Sequence, residues 1–90
     1  DAYTVVDPRQ IFRNAVRLGA AGVILAHNHP SGDSEPSQQD IIVTARVAKA
    51  GALLGVQLLD HLIVGHFRVT SLAARGDLPA WEGQPSIWTQ

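Results

Sequence analysis

His27 and His29 stand one residue apart, and a carboxylate, Asp40, follows eleven positions after the second imidazole. Imidazole nitrogen and carboxylate oxygen are the donors that a small divalent cation takes. Three such ligands without sulfur leave a fourth position open for water, the layout of a catalytic rather than a structural zinc site. The expected ligands are His27, His29 and Asp40, holding one Zn2+ per chain. The chain has no cysteine, so disulfides and thiolate ligands are excluded. Each part alone has a plainer explanation. A single histidine is ordinarily a surface or satisfied core residue, and Ser37-x-x-Asp40 before an apolar run is also a helix start related to the capping box. The combination, joined by so short a loop, favours a metal.

The elements that must position these groups are legible on either side. The apolar run Gly22-Val23-Ile24-Leu25-Ala26 leads straight into His27, and alternation along a strand sends His27 and His29 to the same face. The run from Ala20 to Ala26 lacks polar alternation, which suits a central strand covered on both faces. Asn28 to Pro36 is rich in turn formers, so the loop joins the ligand-bearing elements and is expected to line the site. From Ser37 the apolar positions Ile41, Ile42, Ala45, Ala48 and Leu53 or Leu54 predict a helix of about three to four turns, with Asp40 in its first turn and Gly51 and Gly55 bracketing its end.

Upstream, Tyr3-Thr4-Val5-Val6 reads as the end of a strand. Asp7-Pro8-Arg9-Gln10 then predicts a helix start, with Ile11, Phe12, Ala15, Val16 and Leu18 on one face and Gly19 at the end. Arg9, Arg13 and Arg17 recur every four residues on its other side, a solvated face or a contact for an acidic partner. Downstream, Val56 to Val64 is a second strand, Gly65-His66 a hairpin turn and Phe67 to Ser71 the returning strand. Asp60 and His61 interrupt that second strand. Successive side chains face opposite ways, so one of them can approach the metal: either Asp60 orients a ligand imidazole, or the pair faces solvent at a strand end.

The spacing His-x-His, seven residues, Ser, two residues, Asp resembles the signature of JAMM (MPN+) metalloproteases. The fuller string His27-Asn28-His29-Pro30-Ser31-Gly32, with Pro36-Ser37 and Leu59-Asp60-His61, is similar to the bacterial RadC branch of that family, and the resemblance runs from about Asp7 to Leu78. It implies metal binding by His27, His29 and Asp40, and support of the transition state by Ser37 as the catalytic hydroxyl. The implied reaction is hydrolysis of an amide or isopeptide bond in a peptide or protein substrate. It also carries a historical association with DNA repair. The implied fold is an α/β, three-layer α-β-α sandwich with a mixed sheet, JAMM and cytidine-deaminase-like. The JAMM pattern takes its general base from a glutamate on a strand upstream of the first helix. None of the residues before Pro8 is Glu, Asp7 serves as a cap, and Glu35 does not match the family's position. Either the chain is a domain lacking its N-terminal strands, which the start in mid-strand favours, or the protein binds metal without that base; weak hydrolytic activity is expected of the chain alone.

Composition bounds the alternatives. Ninety residues, 46% hydrophobic and 17% charged, describe one globular domain, read as 1–78 with a tail at 79–90 that carries Trp81 and Trp88. The net charge of −1 gives no general attraction to phosphate. No segment is long and apolar enough to span a bilayer, no signal peptide is evident, and cytoplasm is the default. The zinc deaminases' His-x-Glu and Pro-Cys-x-x-Cys are absent, as is His-Glu-x-x-His. Two other function classes stay open: a non-catalytic protein-binding module on the same fold, and a DNA-associated protein contacting nucleic acid through Arg9, Arg13, Arg17 and Arg46. Homo-oligomerisation through an exposed sheet edge or the Trp81/Trp88 tail is a further expectation.

Overall fold

The computed structural model describes residues 7–83. In chain order they form α1 (Pro8–Arg17), β1 (Gly22–Asn28), α2 (Gln38–Leu54), β2 (Gln57–Val64), β3 (Val69–Ser71) and α3 (Leu72–Arg75). The sheet runs β1-β2-β3, with β1 parallel and β3 antiparallel to β2, so the expected mixed α/β sheet is present. Helix α2 is the crossover that a parallel pair requires. Phe12 and Ala15 of α1, Val43 and Val47 of α2, and Val56 and Leu58 make one core, with Val23 and Leu25 of β1 packed against it. Both long helices thus share a single core.

Helix α1 starts as the sequence dictates. The Asp7 carboxylate accepts the Arg9 backbone N–H at 2.9 Å, and Pro8 occupies the first turn, where its missing N–H costs nothing. Of its expected apolar face Phe12 and Ala15 are buried, whereas Val16 and Leu18 are exposed. Helix α2 is longer than expected, about five turns over 17 residues. Its inward face is Asp40, Val43, Thr44, Val47 and Gly51, not the Ile41, Ile42, Ala45, Leu53 and Leu54 stripe. The helix is apolar on most of its circumference, so periodicity could not choose the face; the spacing 40, 43, 44, 47, 51 is the one that puts Asp40 toward the sheet. Gly51 and Gly55 bracket the helix end as expected: a Cβ on Gly51, in the last turns, would run into the Val56 carbonyl, and Gly55 in the left-handed region (φ 74°) makes the stop.

Two strand expectations are corrected. Among the described residues β1 is an edge strand and β2 the centre, and Ile24 is 58% exposed, so only one face of β1 is covered. An apolar run without alternation carries no record of which face is open. The hairpin turn sits one residue later than predicted: Gly65 N–H donates to the Arg68 carbonyl at 2.8 Å around His66-Phe67, leaving Phe67 at the tip, 98% exposed. Among the described residues no helix is long and apolar enough to cross a membrane. Tyr3 to Val6 and Trp88 lie outside the described residues.

Strand β2 carries one irregularity. Val23 pairs with Leu58 but Ile24 pairs with Asp60, so Leu59 is an extra residue in the parallel ladder. A bulge shifts the alternation by one. Leu58 and His61, three apart, therefore both face the helices, with Leu59 half-exposed between them.

Candidate metal centre

Strand β1 delivers His27 to the covered face, His29 follows at the start of the loop beyond it, and the first turn of α2 delivers Asp40 against them. Asp40 is 3% exposed. One of its carboxylate oxygens, Oδ1, lies 2.8 Å from His27 Nδ1; the other, Oδ2, lies 2.8 Å from His29 Nε2. The Ser37 backbone N–H and hydroxyl both donate to Oδ2, at 2.8 and 2.9 Å, while the Ser37 oxygen accepts the Asp40 N–H at 3.1 Å. This is a complete capping box with Asp in the acidic place. Burial by itself would raise the Asp40 carboxyl. The Ser37 N–H, His27, the Ser37 hydroxyl and His29 together outweigh it and bring the group down to about 2, so it stays an anion.

Proton accounting shows what this arrangement needs. His29 Nδ1 lies 2.7 Å from the Asp33 carbonyl, which can only accept, so Nδ1 carries the proton. In a neutral ring Nε2 is then a bare lone pair, and it faces a carboxylate oxygen that already accepts two hydrogen bonds. Two acceptors at 2.8 Å are held together by a positive charge, a second proton on the ring or a metal ion. The donor set thus fits a divalent cation of the nitrogen- and oxygen-preferring kind. The Asp33 carbonyl fixes the ring tautomer of His29, as an outer partner does where an imidazole ligates a metal.

The loop between strand and helix is braced from outside. Gly32 has φ 84°, and a Cβ there would meet the His66 ring, while His66 N–H donates to the Gly32 carbonyl at 2.9 Å. Thr70 donates to Ser34 at 3.0 Å, and Arg75 pairs with Glu35 at 3.0 Å. The hairpin and α3 therefore hold the ligand loop in place.

Of the Asp60-His61 pair it is His61 that enters the site. Asp60 meets no imidazole; it accepts the His61 N–H at 2.7 Å, the Ser71 hydroxyl at 2.5 Å and the Ala73 N–H at 2.9 Å, tying β2 to the start of α3. His61 is 3% exposed, its ring stacked on that of His27 with centroids 6.4 Å apart. Its Nδ1 lies 2.7 Å from the Thr44 hydroxyl. Candidate ligand atoms of His27, Asp40 and His61 all fall within 4.8 Å of one another. Sequence reasoning left His61 undecided; the signal was a titratable residue inside an apolar strand, but its facing depends on the bulge. Arg9 spends its guanidinium on Asp7 at 3.0 Å, and Arg13 and Arg17 are exposed on α1.

A family model described as the RadC-like JAB domain matches residues 2–77. This chain belongs to the RadC-like JAB domain family. Curated relatives of this RadC-like domain include UPF0758 proteins of Moorella thermoacetica (54% identical over 72 residues), Syntrophomonas wolfei (51% over 73) and Halalkalibacterium halodurans (50% over 76). These alignments cover 80%, 81% and 84% of the chain but 31%, 31% and 33% of the relatives. The RadC-like domain spans about a third of the length of the curated relatives it matches.

Proposed function

We propose that this RadC-like domain is the metal-binding core of a zinc-dependent hydrolase that cleaves an amide or isopeptide bond in a peptide or protein substrate. His27, His29 and Asp40 hold the ion. The observation that carries the reading is the 2.8 Å approach of His29 Nε2 to the buried Asp40 carboxylate while His29 Nδ1 is committed to the Asp33 carbonyl. Nitrogen and oxygen donors without thiolate suit Zn2+ in a hydrolytic role. A bound ion of this kind supplies Lewis-acid polarisation of a carbonyl and brings the pKa of water to about 7.

The chain's own groups then have distinct tasks. Asp33, through its carbonyl, keeps His29 in the ligating tautomer. Ser37 donates its hydroxyl to Asp40 here; once that carboxylate is neutralised by a cation, the same hydroxyl becomes a donor for a developing oxyanion, worth ~2.7–4 kcal/mol. The proton acceptor is assigned to an upstream glutamate, as the JAMM resemblance implies, because Glu35 is engaged by Arg75 and Asp60 by Ser71 and Ala73. In the same reading, strands N-terminal to α1 complete the three-layer sandwich in the longer protein.

Metal analysis tests the assignment. Purified protein is expected to carry close to one zinc per chain, and His27→Ala combined with His29→Ala to lose it. Unchanged zinc in the double variant would overturn the ligand set. A longer chain that includes upstream sequence is expected to cleave isopeptide or peptide substrates; zinc-loaded but inert protein would instead favour a binding module.

A further inference from the structure

We infer that Thr70 is a positioning residue for the metal centre: through Ser34 it fixes the Asp33 carbonyl, and through that carbonyl the ring of His29. The inference rests on the metal reading above. It adds a residue outside the His-x-His…Ser-x-x-Asp pattern, on a strand that carries none of the proposed ligands.

The carbonyl that meets His29 Nδ1 belongs to the peptide unit joining Asp33 to Ser34. The loop itself holds that unit from one side. The Asp33 N–H donates to the Ser31 hydroxyl at 3.2 Å, and the Glu35 N–H to the Asp33 carboxylate at 2.9 Å. The β2–β3 hairpin holds it from the other. The His29 N–H donates to the Val64 carbonyl and the His66 N–H to the Gly32 carbonyl, each at 2.9 Å, and the Thr70 hydroxyl donates to the Ser34 hydroxyl at 3.0 Å. Loop and hairpin meet backbone to backbone: a Cβ on Gly65 would run into the Gly32 carbonyl and the Ser34 nitrogen.

Among these anchors the Thr70–Ser34 bond is the one that governs the carbonyl. The two backbone bonds end at His29 and Gly32, ahead of the Asp33–Ser34 unit. Arg75 and Glu35 meet beyond it, but their side chains are 40% and 67% exposed, and ion pairs so open to water hold little. Ser34 is buried and Thr70 half-buried, so their bond is sheltered and neither hydroxyl has ready water to replace the other. Without it the Asp33–Ser34 unit can turn its carbonyl away from Nδ1. The imidazole then loses the partner that sets its tautomer and its aim at the ion.

Two readouts test this: zinc affinity by chelator competition, and the His29 Nδ1–H proton resonance of the zinc-loaded protein. In the wild type that proton is expected to be protected from exchange with water. Thr70→Val keeps the shape of the side chain and a residue suited to a strand, and removes the hydroxyl. It should weaken zinc binding about tenfold and expose the ring proton to exchange, and Thr70→Ser should restore both. Ser34→Ala should match Thr70→Val, and the double variant should be no worse than either, because all three lack the same bond. Unchanged zinc affinity and a still-protected ring proton in Thr70→Val, even with a lower urea midpoint, would reduce Thr70 to a structural role and overturn the inference. Losses that multiply in the double variant would overturn it too. Both results leave His27, His29 and Asp40 as ligands, whereas zinc that survives His27→Ala with His29→Ala defeats the underlying metal reading.

Discussion

At the residue scale, Asp40 serves two masters, helix and site. Its N–H and one carboxylate oxygen complete the capping box with Ser37, and both oxygens face imidazoles. Because the folded carboxyl titrates near 2 and an unfolded one near 3.8, its contribution to metal-free stability is fully present above about pH 4. It is lost as pH falls through about 2, and amounts to about 2 kcal/mol, so urea midpoints of the metal-free protein should drop over that window. Asp40→Asn should flatten the drop. Ser37→Ala removes the cap and the hydroxyl together. It should cost about 1 kcal/mol in urea unfolding, as other cap losses do, while leaving zinc stoichiometry near one.

At the element scale, the structure sets glycines where strands and helices close in. Alanine is the better helix former by about 1 kcal/mol, so Gly51→Ala judged on α2 alone would stabilise. The Val56 carbonyl sits where that Cβ would go, and overpacking of this kind costs about 1–3 kcal/mol. The expected outcome is a net loss, read as a lower thermal midpoint. Gly32→Ala should be worse for function than for the global fold. It forces a side chain into the left-handed region and against His66, displacing the loop that carries His29 and Asp33. Zinc affinity should fall about as far as for loss of an outer partner, 10–100-fold, while circular dichroism stays close to wild type.

At the scale of the whole molecule, the site joins two consecutive elements, the end of β1 and the start of α2, and is backed by β2. A metal bound there holds only the folded state together. Zinc at 100 times its Kd should therefore add about 2.7 kcal/mol. For a domain of this size that corresponds to roughly 10–20 °C in Tm, and a chelator should reverse it. The same scan on the His27→Ala, His29→Ala protein should show no zinc response.

Much of this was legible from residue types alone. Asp7-Pro8, Ser37-x-x-Asp40 and the His-x-His alternation are local rules, each set by hydrogen bonds or side-chain direction within a few residues, and helix starts and the shared face of His27 and His29 came out as read. Which side of α2 faces inward, which strand is central and which way His61 points were not local. The first depends on what Asp40 meets across the sheet. The second depends on which residues pair beside β1. The third depends on one extra residue in a ladder, which reverses the facing of every side chain after it without changing the apolar pattern that sequence can show.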